Sequence, residues 1–360
     1  MGIRLTTTRW MLAAVVTAAI AIGADYLLEP VAGGALIIVT TLFIGLAEGA
    51  VCLMAGAELS DGHWHRALLP RAASLIYVIP VAALLFIGGI VPQLSIYPWA
   101  GDPSGWLSKN LFIARHLVLM AIVFLVARKF VIEAMRGGQR KGVWAVLYVF
   151  LFVVHLSMIG IEWYMTIERP WFSTLFGAFV MVSAFLSGIC ALNLIVFGWR
   201  RRTDAPAKLI QKSLGGLMFG FATFWAYFYF SQLIVIWYGN IPEETMYLAK
   251  RIGYHTPYWL PARLVFGMVW VVPFAVLLRR KNKTLAAVMS ALAVEVLTGV
   301  TMLFWIMLAP VTTVSIPLIV AGIALMTFLT ASIVRSYDLL LRVPAEVSAE
   351  AGARQPAHSH

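Results

Sequence analysis

Residues 36–56 read LIIVTTLFIGLAEGAVCLMAG, a run with a single charged side chain, Glu48. A helix rises 1.5 Å per residue, so about 20 such residues cross a hydrocarbon core roughly 30 Å thick. Nine more apolar runs lie near 10–28, 72–91, 110–127, 143–161, 173–199, 214–239, 259–278, 284–308 and 316–334. Over all 360 residues, 61% are hydrophobic and only 12% charged, with a mean hydropathy of +0.88. Soluble domains carry about 25% charge, so lipid must cover much of this exterior. The expected fold is all-α and integral to the membrane, with about ten transmembrane helices in one polytopic domain over 1–343. Pro80, Pro261, Pro273 and Pro317 predict kinks or helix ends, since proline lacks an N–H and clashes with the preceding turn. The Ala-, Pro- and Glu-rich stretch 344–360 is expected to be a disordered cytoplasmic tail.

Net charge is +11, but the basic residues sit between apolar runs, which points to membrane topology rather than nucleic acid. Arg4, Arg9, Arg66, Arg71, Arg128, Lys129, Arg136, Arg140 and Lys141 fall on one side of the alternation. So do Arg200, Arg201, Arg202, Lys208, Lys212, Arg279, Arg280, Lys281, Lys283, Arg335, Arg342 and Arg354. That side holds 21 of the 27 basic residues; Lys109, Arg115, Arg169, Lys250, Arg251 and Arg263 fall on the other. The basic side is expected to be cytoplasmic, with both chain ends on it. Arg4, Arg9 and the small residues around Ala19–Ala24 also fit a cleaved signal peptide. A retained first helix is preferred because apolar character resumes after Asp25. Cys52 and Cys190 lie in apolar runs without a CxxC pairing and read as two packed thiols, with a disulfide left open.

Carboxylates and imidazoles at bilayer depth are costly and face protein or water. Glu48 shares a helix face with Thr41, Gly45 and Cys52, and Gly45–Gly49 is a GxxxG that admits a close neighbour. It is either a structural hydrogen-bond donor or a proton carrier. His155 and Glu162, seven residues apart, share a face of the fifth helix and could hand protons along it. The plain alternative is a neutral His155 bonded to a carbonyl. Glu295, with Thr298 beside it, is the third buried carboxylate. Arg115 and His116 are expected to reach the headgroups. Only His155 lies deep in a helix, so an intrinsic bis-histidine haem is not expected. No Walker, HExxH or GxSxG pattern occurs, so nothing points to an enzyme acting alone.

Two segments beyond the helix centres stand out, WYMTIERPWFSTLFG over 163–177 and WAYFYFSQLIVIWYGNIPEET over 225–245. They resemble the F subunit of alternative complex III, a quinol:cytochrome c oxidoreductase of bacterial respiratory chains. Its run FWAYxxFSQ…IWYANIPEET is matched by Phe224–Trp225–Ala226–Tyr227, Phe230–Ser231–Gln232 and Ile236 to Thr245. The family's DW…W[YF]ST[IL][FY]G is matched by Glu162–Trp163 and Trp171 to Gly177. The likeness extends over roughly Glu162 to Pro310. It implies an NrfD-like, polysulfide-reductase-like subunit with two four-helix bundles plus two further helices, and without a redox centre of its own. The implied partners are a related C-type membrane subunit, an iron–sulfur subunit and haem c subunits, with membrane lipid around them and no nucleic acid. Proton conduction and assembly are the implied roles, with a quinol site as a further one. The chain departs from the family at Glu162, where Asp is common, at Ile167–Glu168–Arg169–Pro170, and at Gly239, where Ala is usual. Relatives carry a histidine and an aspartate in the ninth helix; here Glu295, Thr298 and Thr301 stand instead.

The leading expectation is therefore a membrane subunit of a quinol-oxidising complex. Its proton-path candidates are Glu48, His155, Glu162 and Glu295, and its partner-interface candidates are Trp237, Asn240, Glu243 and Glu244. A purely structural scaffold is the alternative. A secondary transporter ranks below both, because no convincing internal repeat is visible.

Overall fold

The computed structural model describes residues 6–28, 33–101, 105–199 and 208–341. The expected tail over 344–360 lies outside them, as do Arg4, Arg200, Arg201, Arg202, Arg342 and Arg354. The chain is an all-α membrane protein, and among the described residues ten helices are long and apolar enough to span a bilayer. They are α1 Thr7–Leu27, α2 Ala35–Leu59, α3 Leu69–Ile96, α4 Lys109–Arg136 and α5 Lys141–Ile167. Then follow α6 Phe176–Gly198, α7 Leu209–Gly239, α8 Trp259–Leu277, α9 Ala286–Leu308 and α10 Ile316–Arg335. Several run past the apolar stretches that announce them. The fourth continues from residue 127 to Arg136, because backbone hydrogen bonding persists into the polar interface where hydropathy has already fallen.

The prolines act where they stand. Pro80 follows a tight 3₁₀ turn at Ser74–Tyr77, and Pro273 follows a wide π turn at Gly267–Val271. Pro317 sits in the first turn of α10, where no N–H is needed, and the Ser315 hydroxyl accepts from the Leu318 N–H at 3.3 Å. Two more π turns occur, at Phe86–Ile90 in α3 and Gly160–Tyr164 in α5.

Packing divides the helices into two rings. Helices α2 to α5 close on themselves, α6 to α9 do the same, and α1 and α10 pair beside α2 and α3. The second ring repeats the helix order of the first. Because α2 and α6 are four crossings apart, they run parallel, so this repeat is not of the inverted kind. The two rings meet along α2 and α6, and the GxxxG of α2 is the reason they can. A Cβ added at Gly45 would sit 2.8 Å from that of Ala184, and one at Gly188 only 2.2 Å from the Ala50 nitrogen. Small residues thus bring the two backbones into contact. The outcome is that α2 is buried over its whole apolar length, while α4, α7 and α8 turn most of their surface outward.

A buried polar chain as the candidate functional site

Glu48 lies at the centre of α2 and His155 on the facing side of α5; neither side chain has any exposure. Their Oε1 and Nδ1 atoms are 2.8 Å apart. The predicted α5 pairing of His155 with Glu162 is thus replaced by a pairing across helices, because the ring turns α5 toward α2. The remaining Glu48 Oε2 and His155 Nε2 atoms are buried without a hydrogen-bond partner among the described residues. The Tyr148 hydroxyl donates to the Glu48 backbone carbonyl at 3.0 Å and leaves the carboxylate free.

Glu162 is held two turns further along α5, inside the π turn. Its Oε2 accepts from Arg115 Nη2 at 2.5 Å and lies 3.0 Å from His116 Nε2, while its Oε1 accepts from Trp106 Nε1 at 2.9 Å. Arg115 also lies over the Trp106 ring, 4.2 Å from its centroid. The expectation that Arg115 and His116 reach the headgroups is not met. His116 has no exposure and is enclosed by Phe86, Phe112 and Trp163. It lies on the inward stripe of α4 with Phe112, Met120 and Val123, spacings that were available in the sequence.

His116 has a proton to place. Its Nε2 faces the Glu162 carboxylate, an acceptor, and also lies 3.2 Å from the Trp163 Nε1–H, a donor. Protonated there, it satisfies Glu162; deprotonated, it satisfies Trp163. Glu162 keeps Arg115 and Trp106 as donors in either state. Two buried polar groups thus lie along α5, the Glu48–His155 pair near the centre of α2 and the His116–Glu162 pair with Arg115 and Trp106 toward the less basic end. No hydrogen bond joins the two groups among the described residues.

Toward the basic end the next carboxylate on α2 is Glu58, about 15 Å away along the helix axis. Glu58 forms an ion pair with Lys141 and contacts His65 Nε2 at 3.1 Å. Glu295 does not join either group. It is half-buried on α9, and no hydrogen bond or ion pair reaches it among the described residues. Among those residues no three His, Cys, Asp or Glu side chains come together as metal donors. Cys52 and Cys190 are both free and buried. Sequence reading also passed over Asp25, which is buried in α1 and bonded by the Gln93 side-chain amide of α3.

His65, in the loop between α2 and α3, is fully buried, and that burial pushes its pKa below the ordinary imidazole value against the pull of Glu58. The sign follows directly. An unfolded histidine protonates near pH ~6.5, before the buried one does, so His65's contribution is complete above that pH and is lost as pH falls below it. Thermal melts in detergent should therefore show stability dropping below about pH 6.5, and His65→Gln should flatten that slope. An unchanged slope in the variant would remove His65 as its origin.

At the less basic end, Pro242–Ile252 forms a short surface helix after α7. Asn240 makes the turn with a φ of 47°, a left-handed conformation that asparagine tolerates. Trp237, Asn240 and Glu243 are exposed there, and Glu244 is half-buried. The helix is pinned from below. Tyr247 stacks flat on Trp171 at 3.5 Å, and the Arg251 guanidinium lies 3.7 Å from the Tyr247 centroid and 2.6 Å from Glu168. Burial pushes the Tyr247 hydroxyl up to about 12, so the ring stays neutral.

Fold and site together define a polytopic all-α membrane protein with buried carboxylate–imidazole pairs between α2, α4 and α5. Comparisons with protein-family models and with curated proteins find no match.

Proposed function

We propose that the chain is a membrane subunit of a quinol-oxidising respiratory complex of the alternative complex III type, in a bacterial inner membrane with its basic side cytoplasmic. In this reading it carries protons between the membrane centre and the outer face. Quinol oxidation yields two electrons and two protons; the electrons leave through iron–sulfur and haem c groups on partner subunits. The protons are passed from the Glu48–His155 pair to His116 and on to Glu162. The observation that carries the reading is the run of dry, titratable side chains with unpaired atoms at Glu48 and His155. A scaffold alone has no use for it, since well-packed apolar residues are often no less stable than buried ion pairs.

The test is Glu162→Gln in the assembled complex. The amide keeps one oxygen, enough to accept from Arg115 while the Trp106 contact is given up, and holds no exchangeable acid proton. Quinol-driven proton release is expected to fall about tenfold or more, with subunit composition unchanged. Full activity in both this variant and Glu48→Gln would sink the proton path. The scaffold reading draws on a separate feature, the exposed Trp237, Tyr238 and Ile241 beside the surface helix. It expects changes over 240–245 to break assembly while the buried carboxylates are silent.

A further inference from the structure

Consecutive helices α9 and α10 are joined by only residues 309–315, yet they do not pack along their length. Helix α9 leans on α6 and α8, and α10 leans on α1, α2 and α3. Between them lies a cleft of about 1140 Å³. Its floor is Leu42 and Leu46 of α2 with Leu194 of α6, and Val320 and Ile323 of α10 form one wall. The threonines of the opposite wall offer little to water, because the Thr298 and Thr301 hydroxyls donate to carbonyls of their own helix at 2.9 and 2.8 Å. An apolar gap of this size, left empty, forfeits the dispersion contacts of its whole lining. Hydrocarbon fills it better than water does.

The two ends of the cleft differ. At the less basic end it stops at Trp305, Pro261 and Ile316; at the basic end it stops at Arg71, Arg335 and Tyr337. Arg335 is exposed in the last turn of α10, and the Arg71 guanidinium lies 4.8 Å from the Tyr337 ring centroid. We propose that the cleft is a binding site for an anionic phospholipid of the basic-side leaflet. Its acyl chains lie between α9 and α10, and its phosphate sits at the Arg335 and Arg71 end. The charge selects this occupant. An uncharged isoprenoid quinol offers the Arg335 guanidinium only neutral acceptors, whereas a phosphate gives it stronger charge-assisted hydrogen bonds.

The test is native mass spectrometry of the full chain released from nanodiscs of equal phosphatidylcholine and phosphatidylglycerol. The wild type is expected to retain phosphatidylglycerol over phosphatidylcholine by about tenfold, the worth of one good charged contact. Arg335→Gln, a change at an exposed position, should erase that preference while lipid is still retained. Thr327→Phe, which fills the cleft from α10, should lower retention of both lipids. Equal retention of the two by the wild type, or a preference that survives Arg335→Gln, would overturn the proposal. So would an isoprenoid quinone retained in place of phospholipid.

Discussion

Glu48→Gln is expected to reduce quinol-driven proton release by about a hundredfold and to leave the complex assembled. Glutamine has the shape of glutamate, and its carbonyl can still accept from the His155 Nδ1–H at the present 2.8 Å. Packing around it is tight but neutral to the change, since its neighbours Gly45, Gly49 and Cys52 ask nothing of the charge. What is lost is the acid that pairs with His155 inside the first ring. Glu295→Gln, on a carboxylate outside the chain, is the matched control and should leave proton release near the wild-type level. The effect should exceed that of Glu162→Gln, because Glu162 is flanked by groups open to water and Glu48 is not. Proton release is followed with a pH indicator in vesicles, and assembly by the subunits recovered.

The second large effect is structural. Gly188→Val should abolish recovery of folded protein, at a cost of about 3 kcal/mol or more. A Cβ at Gly188 would stand 2.2 Å from the Ala50 nitrogen and 2.3 Å from the Gly49 carbonyl carbon. Those are backbone atoms, which cannot rotate away as a side chain can. The two rings would have to part along α2 and α6, and with them the wall that keeps Glu48 and His155 dry. Gly56→Val is the control, since a Cβ there meets nothing within 4 Å. Monodispersity on gel filtration after mild solubilisation gives the comparison. Equal recovery of the two variants would mean the junction tolerates separation.

The helix count and positions could be read from the sequence because a bilayer imposes both a length and a solvent. An apolar run of the right span has little else it can be. Glu48, His155 and Glu162 stood out singly for the same reason, as costly groups in apolar surroundings. Their partners did not. Hydropathy reports depth but not direction, so His155 was matched to Glu162 on its own helix instead of Glu48 on α2. It likewise left Glu295 looking equivalent to Glu48, although one is half-buried and the other fully enclosed. Arg115 and His116 could have been matched to Glu162 by depth, since α4 begins and α5 ends at the same side. The parallel repeat of the two rings was hidden because it is kept in helix order and in small residues at the junction, with little trace in the polar residues.

The claim that matters most is membership of a quinol-oxidising complex. It is tested most directly by purifying the chain through a tag, in gentle detergent, from membranes that express the partners. The expected result is a coloured preparation in which haem c and iron–sulfur subunits co-elute in fixed ratio. A colourless chain that elutes alone from those membranes would contradict it.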